Sequence, residues 1–199
     1  IADNAVVENV NGYIGVDTAT AGVVTVSGSG TWDNSGSLHV GNAGSGRLTI
    51  TDTATVKAGD IRVGFGPASS GVLELNGGTL EAANVRKGNG TGTFSINGGT
   101  LKATGSNTAF ISGFSALTLG SGGAIIDSNG FNVASLSALS GTGELVKNGA
   151  GILTLDGAAS TGFTGNTTVN QGTLNLAVED AIANSAVVHF QNASGLTAT

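Results

Sequence analysis

The chain has 199 residues, 35 of them glycine and one proline, with a net charge of −6 and neither cysteine nor methionine. That charge disfavours nucleic acid or an anionic membrane as a partner, and no apolar run is long enough for a transmembrane helix. Without cysteine there is no disulfide framework, and glycine without a three-residue period is not collagen, so a packed core has to hold the fold.

Taken in order, residues 1–20 read as the tail of an earlier coil, with Tyr13-Ile14-Gly15 standing where Val40-Gly41 stands later. A repeat of about two dozen residues follows. Its first strand places Val24, Leu48, Leu73, Phe94 and Leu117 in one column, and Val26, Ile50, Leu75, Ile96 and Leu119 two positions on. A turn comes next, explicit in Asn76-Gly77-Gly78 and Asn97-Gly98-Gly99, where Asn and Gly are expected to supply positive φ. The second strand gives a column of Trp32, Val56, Leu80, Leu101 and Ile125. The third gives Leu38, Ile61 and Val85, continued by Ala109 and Val133. Trp32 stands in a core column, although an exposed indole would also suit sugar stacking.

Period-2 alternation between glycine-marked corners excludes an amphipathic helix. A β-sandwich would not put the same residue type at the same point of five successive repeats. The predicted fold class is all-β: a right-handed parallel β-helix (β-solenoid) with three short strands per coil of about 21–25 residues, like residues stacking on like.

Between Ser115 and Ser140 the repeat loosens and leads into GTGELVKNGAGILTLDGAASTGFTGNTTVNQGTLNL at 141–176. Gly141, Gly143, Leu145, Lys147, Gly149, Gly151, Leu153, Thr154, Leu155 and Gly157, then Thr164, Gly165, Thr167, Val169, Gly172, Thr173, Leu174 and Leu176, carry a resemblance to the passenger-associated transport repeat of bacterial autotransporters. Phe163 departs from that pattern, which usually has Tyr. Residues 22–114 also resemble the β-helical repeat of type V secretion passengers, which carries no known catalytic residues. After Leu176, VEDAIANSAVVHF reads as a polar turn and one more strand, and the final residues as an open end expected to fray. The expected organisation is a single β-helix segment, 1–199, of a larger passenger: regular coils at 1–140, the passenger-associated repeat at 141–176 and a further partial coil at 177–199.

Two outward files stand out. Asp33, Lys57, Glu81 and Lys102 alternate in sign in successive coils, a structural charge file that would specify register. His39, Arg62 and Arg86 form a second file, a possible ligand face for an acidic glycan, with Asp60 and Glu81 available to neutralise it. Strict alternation would aim Lys87 inward, where an unpaired ammonium is costly, so a bulge or an early strand end is expected there.

Catalytic chemistry is not evident. Carboxylates are spread through turns rather than clustered on one face. His39 and His189 are the only histidines and neither lies near a nucleophile motif, and a zinc site lacks ligands. The sequence therefore predicts no enzyme, no catalytic residue, no cofactor and no metal. What the resemblance implies is a Gram-negative protein, surface-exposed or secreted, delivered by a C-terminal β-barrel absent from this chain and not itself inserted in the membrane. Its expected role is that of an adhesin or a self-association and biofilm module, with a host-cell or matrix ligand, a glycan, or another copy of itself as partner. The alternative is a structural stalk that presents a distal domain and aids secretion and folding. A chain beginning Ile1-Ala2-Asp3 is expected to be a piece of something longer.

Overall fold

The computed structural model describes residues 1–191 and 195–198. Every element among them is a β-strand, and every strand pairing is parallel, between strands one turn apart in the chain. The result is a β-solenoid of about eight turns. Each turn presents three strand faces. The first face runs from Ala21–Val26 up to Gly162–Phe163, the second from Val6–Asn9 to Val188–Phe190, and the third from Gly12–Ile14 to Gly195–Ala198. Where the corners are tight, consecutive faces merge into long bent strands, Ser45–Val63 and Ser70–Lys87.

The apolar columns explain why the turns stack as they do. On the first face Val24, Leu48, Leu73, Phe94 and Leu117 are register partners in succession, as are Val26, Ile50, Leu75, Ile96 and Leu119. All of them except Val24 are buried, and each full burial stabilises by about 1.5–3 kcal/mol. A slip of one residue would turn a whole column to solvent, so the alternation itself fixes the register. Trp32 is in the core, stacked on Val56, and its Nε1 donates to Asn9 Oδ1 at 2.7 Å.

Three expectations need correction. Leu101 is followed in its column by Ile126, not Ile125. The corner between Leu119 and Ile126 is longer than that between Ile96 and Leu101, which moves the inward position on. On the third face Val85 is followed by Ile111 and then Ser135, not by Ala109 and Val133. Val133 is inward too, but in the neighbouring column beneath Leu153 and Leu174. Thirdly, Gly77, Gly78 and Gly98 take positive φ while Asn76 and Asn97 do not; Asn97 instead accepts from the Gly122 N–H at 2.7 Å through Oδ1.

The polar turn after Leu176 buries Ala181 and Ile182 before the strand Val188–Phe190 stacks on Thr167–Val169. The strand Gly195–Ala198 pairs with Thr173–Leu176. Residues 192–194 and 199 of the predicted last partial coil lie outside the described residues.

One corner shows how closely the turns approach. Gly41 has φ +78°, and a Cβ there would lie 2.2 Å from the Ser70 carbonyl oxygen of the next turn. Gly41→Ala combines a left-handed backbone with a backbone clash and should lower stability by at least about 2 kcal/mol. Guanidinium unfolding of the purified variant, monitored by circular dichroism, measures this directly.

Candidate functional site

Asp33, Lys57, Glu81 and Lys102 stand in one file on the second face, each the register partner of the next. Lys57 approaches Asp33 at 3.9 Å and Lys102 approaches Glu81 at 3.3 Å. Both pairs are partly exposed, so each contributes no more than about 1 kcal/mol. The file continues through Asp127 and Asn148, and Asn170 Nδ2 donates to Asn148 Oδ1 at 3.0 Å. Alternating charges thus give way to amides.

His39, Arg62 and Arg86 are register partners on the third face. The two guanidiniums do not face each other unpaired. Asp60, one pleat back, accepts from Arg62 Nε at 2.7 Å and from Arg86 Nε and Nη2 at 2.9 and 2.7 Å. Burial would raise the Asp60 pKa, but the hydrogen bonds and charges of Arg86 and Arg62 outweigh it and hold the carboxyl below its ordinary range. Glu81 is engaged by Lys102 instead.

The structure adds aromatic rings to this face. Phe65 stacks on His39 with ring centroids 4.2 Å apart, Tyr13 meets His39 edge-on at 5.2 Å, and the Arg62 guanidinium lies 5.2 Å over the Phe65 ring. Arg62, Phe65, Arg86, Lys87 and Asn89 line a concavity of about 140 Å³. The two guanidiniums border it and Asp60 offsets one of their charges, which favours an anionic group of about the size of a carboxylate or sulfate. Phe65 escapes a reading of strand columns because it lies in the corner, directly after Gly64. Its signal is the corner column itself, where its N–H donates to Gly41 O and its carbonyl accepts from Asn89 N.

Two lysines occupy inward positions. Lys87 forms no bulge: it stays in register with Val63 at the end of the strand. Its Nζ curls onto the corner and donates to Gly88 O and Gly90 O at 2.9 and 3.0 Å, so the expected cost of an unpaired ammonium does not arise. Lys147 goes further. It stands between Ile126 and Val169 in the core column of the second face and is fully buried. Its Nζ donates to Ser128 Oγ, Asn148 O, Gly149 O and Gln171 O at 2.9, 2.6, 2.7 and 3.2 Å. Burial pushes its pKa down to about 8, with Asp127 opposing the shift. The L-x-K spacing of Leu145 and Lys147 already aims this lysine inward.

Among the described residues, no three of His, Asp and Glu converge as a metal site.

A parallel β-solenoid with its polar groups in files and corners is a quasi-one-dimensional scaffold in which each turn contacts only its neighbours. Within it, residues 145–176 match the family model of the passenger-associated transport repeat. The repeat and the solenoid together fit the passenger domain of an autotransporter. No curated protein and no solved structure matches the chain.

Proposed function

We propose that this segment is a non-catalytic part of an autotransporter passenger, displayed on or released from a Gram-negative cell, and that it serves as an adhesin. Its ligand is an acidic glycan, received side-on at Arg62, Arg86 and the Phe65–His39 stack. The observation that carries this reading is the concavity lined by Arg62, Phe65 and Arg86: it gathers two guanidiniums beside an aromatic face, while Asp60 holds both in place from behind. Each contact is weak and exposed, so useful affinity requires many ligand groups along the solenoid.

The test is binding of the purified chain to a heparin-derived oligosaccharide series. Arg62→Glu and Arg86→Glu should each reduce affinity by about tenfold, in variants whose circular dichroism matches the parent. Undiminished binding by both variants would overturn the assignment of the face. Failure of the folded chain to bind heparin, matrix proteins or itself favours a second reading, that of a structural stalk. The paired charge file and the lysine-held corners favour that reading, since both serve register and rigidity without any ligand.

A further inference from the structure

The corners at 127–130, 148–150 and 170–171 enclose an open cleft of about 640 Å³ beside the buried Lys147. Its polar side chains are Asp127, Asn129, Asn148, Asn170 and Gln171: one carboxylate and four amides. Asp127 Oδ1 accepts from the Asn129 N–H at 2.7 Å, Asn129 Nδ2 donates to Ala103 O at 3.1 Å and Asn148 Oδ1 accepts from Asn170. Among the described residues nothing engages the second Asp127 oxygen, Asn148 Nδ2, Asn170 Oδ1 or the Gln171 amide. Carboxylate and amide groups therefore follow one another along the cleft, one turn of the solenoid, about 4.8 Å, apart.

We infer that this cleft is a binding site for a neutral saccharide. A hydroxyl donates and accepts at once, so neighbouring sugar hydroxyls satisfy a mixed row of carboxylate and amide groups. Other ligand classes fit less well. An anion meets Asp127 and no cationic side chain in the lining. A hard cation wants several oxygens, but the corner carbonyls of Asn148, Gly149 and Gln171 are already turned onto Lys147 Nζ. An apolar ligand has no aromatic wall to lie on. The same lysine holds the floor of the cleft in place before a ligand arrives, which lowers the ordering cost of binding. The site lies in different corners from the arginine-lined face and its chemistry is the opposite, so neither depends on the other.

The experiment is amide-resolved NMR of the chain with cellotetraose, mannotriose and chitotriose, beside a heparin-derived hexasaccharide and calcium chloride. At least one neutral oligosaccharide should shift the amides of 127–130, 148–150 and 170–171. Gln171→Ala, on an exposed corner, and Asn170→Ala should each weaken that titration by about tenfold while the remaining spectrum is preserved. Three outcomes would overturn the inference: no neutral oligosaccharide perturbs these corners, the heparin hexasaccharide or calcium alone occupies them, or both variants titrate like the parent. Because heparin reports on Arg62 and Arg86, a failure at that face is read separately from a failure here.

Discussion

Lys147→Ala is expected to lower the unfolding free energy by about 3–5 kcal/mol, and Lys147→Met by only about 1–3 kcal/mol. The alanine variant removes the aliphatic stem from a core column between Ile126 and Val169 and leaves a cavity. It also strips a donor from Gly149 O and Gln171 O, for which Lys147 is the hydrogen-bond partner among the described residues. Methionine restores most of the volume but not the donors, so the gap between the two variants separates packing from carbonyl satisfaction. Equal losses would show that the ammonium's hydrogen bonds dominate and that the stem adds nothing to the column.

The same residue gives a pH dependence of defined sign. Its folded-state pKa is about 8 against an ordinary 10.5, because burial disfavours the ammonium. Between those values the unfolded chain binds more protons than the folded one, so the contribution of Lys147 to stability rises with pH across that window. Below pH 8 the folded protein carries the full cost of the buried charge, about 3 kcal/mol relative to a neutral amine. Guanidinium unfolding at pH 7.5 and 9.5 should show the parent gaining on Lys147→Met as the pH rises. A parent that loses ground would mean that the four acceptors hold the ammonium firmly and its pKa is not depressed.

These lysines mark the boundary of what is legible in the chain. The columns through Leu48, Leu73 and Phe94 can be read directly, since strict alternation fixes which side chains face in and repetition fixes their register. Asp33, Lys57, Glu81 and Lys102 follow from the same register, one position outward. Legibility fails where corner length varies. The Ile125–Ile126 and Ala109–Ile111 differences both come from turns that gain or lose residues, where alternation carries no information. It fails again at Lys87, because the cost of an inward ammonium is judged against an empty apolar interior, whereas the L-x-K spacing does aim Lys147 inward. In the solenoid the end of each strand sits beside a ring of corner carbonyls, and a side chain long enough to reach them is satisfied from within the column. Phe65 and the amides lining the cleft at 127–130, 148–150 and 170–171 are corner residues as well, so what the faces reveal about fold they do not reveal about the corners.

Phe163→Ala should cost about 3–5 kcal/mol, and the loss should be local. Phe163 is fully buried and belongs to a strand of only two residues, Gly162–Phe163, so its turn has little ladder to hold it. Its register partner is Gly141, which itself follows Leu119 in the column. A side chain at Gly141 is excluded by the Leu119 carbonyl oxygen, 2.1 Å from where a Cβ would sit. The column therefore lacks a side chain at Gly141, and the Phe163 ring restores apolar volume at the following turn. In a solenoid each turn contacts only its neighbours, so removing that ring loosens this stretch without unfolding the turns around Leu48 and Leu73. Hydrogen exchange should show lost protection at the Phe163 and Thr164 amides, which donate to Ser160 O and Gly141 O at 2.9 Å, and unchanged protection at residues 45–63. Ile152→Ala, at a position 36% exposed in the same repeat, should stay within about 0.5 kcal/mol of the parent. Uniform loss of protection along the chain would show instead that the passenger-associated repeat and the preceding turns unfold as one cooperative unit.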